Sequence, residues 1–230
     1  MSSQGNAYTM IVLAAAAAAV FGANYTVKVM EPCVHVRSTD LKNACKFGGL
    51  QLTSVGGTLL YASNCNVLLP KQTFRKRPAV LFGYANRCEK IEATVTSLSE
   101  QALPTIVELS RMIKCLKYNS QTKLYTVMTV DPDAPSLRLG QFYLHWLRIN
   151  VPGSALADGE DIDGLDIAPY TGPNPPQNSS DHRYMFYVFE QRDGRLQPKD
   201  IDRKPFDLDE FRGNKKLCGP QAGIQFRARY

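Results

Sequence analysis

The segment from Lys123 to Gly153, KLYTVMTVDPDAPSLRLGQFYLHWLRINVPG, constrains the fold more than any other part of the chain. Two apolar runs, one closing on Val127, Met128, Thr129 and Val130 and one from Phe142 to Val151, are separated by a turn containing Pro132 and Pro135. Proline removes a backbone donor and pushes the residue before it toward extended geometry, so the chain must leave its sheet here. The pattern predicts two strands joined by a rigid turn that presents Asp131 and Asp133, with His145 inside the second strand. A second segment, Ile167 to Gln191, repeats the design. Its loop carries Tyr170, Gly172, Pro173, Pro175 and Pro176, and His182, Arg183 and Tyr184 open the apolar run MFYVFEQ.

Strand-like patterns bounded by turn residues fall at 79–84, 91–98, 103–109, 123–130, 142–151 and 183–190. No long amphipathic helix alternates with them and no glycine-rich phosphate loop is present, which argues against a doubly wound nucleotide fold. Near the end, Asp207 is placed to cap a short helix, with Glu210 reaching back and Phe206 and Phe211 facing inward. The sum is a mostly β protein with a few short helices, and 230 residues suffice for one domain with its own core.

Met10 to Ala23 is uncharged and rich in alanine. It is short for a membrane span but suits the apolar part of a secretory leader, so residues 1–23 are read as a signal peptide. An uncleaved anchor or an alanine-rich buried helix are the alternatives. All six cysteines, Cys33, Cys45, Cys65, Cys88, Cys115 and Cys218, follow the leader without a CxxC pair. That favours disulfides in an extracellular protein over a zinc site, and the spacing selects no pairing. Residues 24–64 then form a cysteine-bearing N-terminal region of short elements and loops, and residues 65–230 the main domain. Asn24 and Asn178 head glycosylation sequons. The net charge of +6 admits anionic surfaces as partners, and the densest basic run is Lys71 to Arg77.

Two of the three histidines lie in the proline-framed motifs. Asp131, Asp133, His145, Tyr170, His182 and Tyr184 are therefore expected to converge. Imidazoles, with backbone N–H groups of the Gly172 loop, can donate to phosphate oxygens, while a carboxylate can accept from an amine or fix a histidine tautomer. Two carboxylates beside an anion repel it, so one must be protonated, turned outward, or paired with Arg138 or Arg183. Trp146 follows His145 and by strand alternation should face the opposite side, in the core.

DPDAPS followed by YLHWLRINVPG, and YTGPNPP followed by DHRYMFYVFEQ, resemble the two hallmark motifs of the phosphatidylethanolamine-binding protein family. Weaker similarity carries the resemblance from about residue 65 to 230. It implies a sandwich of two antiparallel sheets with a small pocket at one end of the strands. The ligand-binding residues it implies are Asp131, Asp133, Pro135, His145, Tyr170, Gly172, His182 and Tyr184, with a cis peptide before Pro135. Cytosolic animal members continue past the segment ending at Phe226 into a helix beside the pocket, whereas this sequence stops at Tyr230, which implies a more open mouth.

The expected function is a secreted, non-catalytic binding protein for a phosphate-bearing or other small anionic molecule, such as a phospholipid head group, acting with a protein partner or in peripheral contact with a membrane. No cofactor, metal or specific nucleic acid is called for. The alternative is an extracellular protease inhibitor or signalling modulator working through the loops at Arg138 to Gln141 or Lys71 to Arg77. A hydrolase is the weaker alternative, because the sequence contains no GxSxG elbow and no HExxH pair.

Overall fold

Long apolar runs such as YTVMTV and YMFYVF lack polar alternation, which is the pattern of strands buried on both faces. The structure, a computed structural model, describes residues 33–82, 123–159 and 162–230, and these runs form its centre. The larger sheet contains β4 (Leu124–Asp131), β5 (Gln141–Pro152), β6 (Leu165–Ala168), β7 (His182–Gln191), β8 (Phe206–Asp207) and β9 (Leu217–Ala228). Its order is β6-β5-β4-β7-β9, with β8 paired to the start of β5. The smaller sheet has β1 (Leu50–Thr53), β2 (Leu59–Leu60) and β3 (Ala79–Phe82) in the order β2-β1-β3. All these strand pairings are antiparallel.

Each face of the larger sheet owns a core. On one side Tyr125, Val127, Phe186 and Ile224 pack with Leu50, Leu52, Val80 and Phe82 of the smaller sheet, which makes the sandwich. On the other, Met128, Val130, Leu147 and Tyr187 are covered by Leu41, Ala44, Phe206 and Leu208. The second cover includes the helix α2 (Leu208–Lys215), which follows α1 (Gly153–Asp158) in the chain. As its sequence predicts, the Asp207 carboxylate caps α2 by accepting from the Glu210 backbone N–H at 2.9 Å, with Phe206 buried and Phe211 packed beside it.

Short 3-10 turns at Ser38–Asp40 and Ala44–Lys46 dominate the N-terminal region, which is fastened by two disulfides, Cys33–Cys218 and Cys45–Cys65. Cys88, Cys115, the sequon at Asn24, the leader and the expected strands at 91–98 and 103–109 lie outside the described residues. The expected cis bond before Pro135 is not present: among the described residues the cis bonds are Lys204–Pro205 and Gly219–Pro220. The Pro135 turn is instead accommodated by Ser136 at φ +64°.

Candidate binding site

At one end of the larger sheet, the middle strand β4 delivers Asp131 as its last residue, flanked by His182 at the start of β7 on one side and by His145 of β5 on the other. The three side chains meet on one carboxylate oxygen. His182 Nδ1 stands 2.7 Å from Asp131 Oδ2, and His145 Nε2 stands 4.0 Å from the same atom. Asp131 and His182 each keep 2% of their surface and His145 7%, so little solvent dilutes the charges. A carboxylate only accepts, so His182 Nδ1 carries the proton, leaving Nε2 as the second nitrogen of that ring. His145 Nδ1 donates to the Thr171 carbonyl at 2.9 Å, which aims its Nε2 at Asp131.

The position of His145 arises from a β-bulge. Thr129 of β4 pairs with Trp146, but Val130 pairs with Leu144, so His145 is the extra residue. Two successive side chains consequently turn to the same face. His145 reaches the Tyr184 ring, with centroids 5.0 Å apart, while Trp146 is buried in the same core cluster as Tyr184. The expectation that Trp146 would face away from His145 is thus corrected, because simple alternation fails across a bulge. Trp146 is core as expected, and its indole N–H donates to Asp166 at 2.8 Å.

Asp133 is handled differently from Asp131. Arg183 grips it in a fork, with Nε 2.8 Å from Oδ2 and Nη2 2.7 Å from Oδ1, and the Arg183 backbone N–H adds a third bond at 2.9 Å. Burial pushes the Asp133 carboxyl up, but the hydrogen bonds and charge of Arg183 outweigh it and hold the group below its ordinary value. Its own backbone N–H donates to Asp131 Oδ1 at 2.7 Å, locking the turn through Pro132. Of the alternatives left open by repulsion between two carboxylates, the structure shows pairing with Arg183.

Tyr184 is buried, stacks on Phe226 at 5.3 Å, and has its hydroxyl held well above the usual phenol range by burial first and the Asp131 charge second. It therefore stays a neutral donor. Tyr170 packs edge-on against Trp146 but gives its hydroxyl to the Phe74 carbonyl at 2.7 Å, so it fastens the loop instead of reaching the histidines. Gly172 lies directly against the Arg75 backbone. Pro135 is exposed in the turn after Asp133. The groups beside the cluster that reach solvent are Tyr143, whose ring is 4.7 Å from His145, together with Asp133 and Thr171. A surface depression of 330 Å³ lined by Leu165, Asp166, Ile167, Pro198, Lys199 and Asp200 contains none of the site residues.

Sequence reading missed two participants. Thr171 binds His145 through its backbone, and Arg203 donates to the carbonyls of Leu144, His145 and Pro169. These contacts use main-chain atoms, so no side-chain motif announces them.

Residues 91–217, a little over half of the chain, match the family described as "Phosphatidylethanolamine-binding protein". The chain is 33% identical over 119 residues to the "Putative odorant-binding protein A5" of Drosophila melanogaster, a match covering 46% of this chain and 52% of that protein. It is 34% identical over 113 residues to the "26 kDa secreted antigen" of Toxocara canis, covering 45% of this chain and 41% of that one. The matched region thus spans about half the length of these relatives. A solved structure of carboxypeptidase Y inhibitor complexed with its cognate proteinase is similar at a TM-score of 0.49 and 16% identity, over 79% of this chain and 83% of that one. By the extent of the family match, the chain belongs to the phosphatidylethanolamine-binding protein family.

Proposed function

We propose that this chain is a secreted, non-catalytic binding protein whose site at the ends of β4, β5 and β7 receives a small phosphate-bearing anion, such as a phospholipid head group. The observation that carries this reading is the convergence of His145 and His182 on one buried carboxylate oxygen, while the other carboxylate, Asp133, is neutralised by Arg183. Asp131 orients the His182 ring and offsets its own repulsion of an anion through the two imidazoles. Neutral Tyr184 supplies a further polar group. The surroundings are basic: Arg75 and Lys76 are exposed beside the Gly172 loop, and Ala228, which pairs with His182, precedes Arg229. Cations at the mouth raise the local concentration of anionic ligands.

Two lines support secretion. Cys33–Cys218 and Cys45–Cys65 are disulfides of a kind that persist in oxidising compartments. The Toxocara canis relative is itself named a secreted antigen. Asn178 sits exposed in a turn at φ +63°, an accessible position for the glycan that a secreted chain could carry.

The test is calorimetric titration of phosphoethanolamine into the wild-type protein and into His182→Ala. Saturable binding at micromolar to millimolar strength, weakened at least about tenfold in the variant, is expected. A folded wild-type protein that binds no phosphoethanolamine or inorganic phosphate would overturn the reading. The loop between β4 and β5 favours a second one, since Leu139 is 79% exposed between Arg138 and Gly140, an apolar tip suited to a protein partner. Replacing residues 138–141 should abolish protein binding under that reading and leave phosphoethanolamine binding intact.

A further inference from the structure

The outer edge of β5 is interrupted beside the site. β6 pairs with Leu147, Arg148 and Ile149, and β8 pairs with Gln141 and Phe142, so among the described residues no strand lies along 143–146 on that side. The bulge at His145 falls in this gap, where buried carbonyls lack ladder partners and must be satisfied by other means. The backbone N–H of Thr171 reaches His145 O at 2.9 Å, and Arg203 completes the set. Its Nη1 donates to Leu144 O at 3.0 Å and His145 O at 3.2 Å, while Nη2 donates to Pro169 O at 2.8 Å. Leu144 N–H returns a bond to Arg203 O at 2.9 Å, so main chain and side chain both lie on the gap.

We infer that Arg203 is a positioning residue for the anion site: its guanidinium ties the bulged carbonyls of β5 to the 169–171 loop and so keeps the His145 imidazole aimed at Asp131. The inference rests on the anion-binding reading above, and the geometry explains the residue type. Three carbonyls on two chain segments require donors held in a fixed planar fork, which an ammonium does not provide. The loop on the far side of the clamp also holds the ring itself, because Thr171 O accepts from His145 Nδ1. If the clamp is lost, the β5 bulge and the 169–171 loop can shift relative to each other, and the ring they jointly hold changes its angle to Asp131.

The test uses the full secreted protein as wild type, Arg203→Lys, Arg203→Gln and, as a stability control, Asn150→Ala. Asn150 bonds Gln191 and Leu196 in a buried network that contains no site residue. Phosphoethanolamine affinity is measured by calorimetry, the imidazole resonances of His145 and His182 by NMR, and stability by urea denaturation. Both Arg203 variants should bind about tenfold more weakly and move the His145 resonances more than those of His182. Asn150→Ala should lose stability with neither effect. Wild-type affinity and an unmoved His145 in Arg203→Lys would overturn the inference, as would an equal loss of affinity in Asn150→Ala. If the wild type binds no phosphoethanolamine, the anion reading falls, and the His145 resonances alone decide the positioning role.

Discussion

Replacing Gly172 by alanine tests how tightly the site loop is built into the fold. A Cβ at this position would meet the Arg75 carbonyl oxygen at 2.5 Å, its Cα at 2.7 Å and its carbonyl carbon at 2.9 Å, whereas ordinary contact starts at 3.4 Å. About 0.9 Å must therefore be found. The obstructing atoms are backbone, so no rotamer change relieves them, and the two segments must separate. They are pinned by the hydrogen bond from Tyr170 to Phe74 O at 2.7 Å and by the packing of Phe74 on Phe226, with centroids 4.8 Å apart. Overpacking of this kind costs about 1–3 kcal/mol. Stretching the Tyr170 bond out of range adds about 1 kcal/mol, and stiffening of the unfolded chain returns about 0.4–1 kcal/mol.

The net expectation for Gly172→Ala is a loss of about 1.5–3 kcal/mol, seen as a lower urea midpoint at unchanged slope. Phosphoethanolamine affinity should fall with it, since Thr171 in the same loop holds the His145 ring. Gly213 is the internal control: it lies within α2, and a Cβ there meets nothing within 4 Å. Gly213→Ala should be stabilising, by about 0.5–1 kcal/mol. A Gly172→Ala protein as stable as the wild type would show that the 74–75 segment does not press on the loop, and the reasoning would fail.

Two more expectations follow from the pairings. Because Asp133 is held below its ordinary value of 3.8, its contribution is fully present above that pH and is lost as pH falls through the folded-state value. Asp133→Asn should therefore cost about 1–2 kcal/mol at pH 7 and flatten the acid limb of the stability profile; equal acid limbs in variant and wild type would refute this. The Cys33–Cys218 bond spans 185 positions and Cys45–Cys65 spans 20, so loop entropy assigns about 5 and about 3 kcal/mol to them. Double replacement by serine should lower the urea midpoint more for the first pair, and the reverse order would contradict the entropic account.

What could be read beforehand depended on whether a residue's role is written in side chains or in main chain. The strands expected at 123–130, 142–151 and 183–190 were found at Leu124–Asp131, Gln141–Pro152 and His182–Gln191, because strands covered on both faces need unbroken apolar runs. β9 was missed although it is as long as β5. Its sequence, LCGPQAGIQFRA, is interrupted by Gly219, Pro220 and Gly223, and for Gly223 there is a physical cause. A Cβ on Gly223 would come within 2.8 Å of the Ala44 carbonyl, so the strand is glycine where another backbone crosses it. The histidine and aspartate pairs were legible from their motifs. The bulge at His145 was not, because it is a property of the register between two strands, and Arg203 was not, because its partners are carbonyls.

The site's two aspartates show why a motif of two carboxylates need not mean two reactive groups. Asp133 faces a permanent cation: Arg183 binds it by three hydrogen bonds and reaches the Lys42 carbonyl at 2.8 Å, so the unit is a cross-link between the β4 turn, β7 and the N-terminal region. Its charge is cancelled at every pH where the protein is folded and the carboxylate ionised. Asp131 instead faces the imidazoles of His182 and His145 through one oxygen, and a carboxylate so buried cannot be left without a partner. The fixed pair sets the shape of the turn, and the shape holds Asp131 in place through the Asp133 backbone N–H. Of the two carboxylates, Asp131 alone is thereby left to meet the imidazoles of His145 and His182.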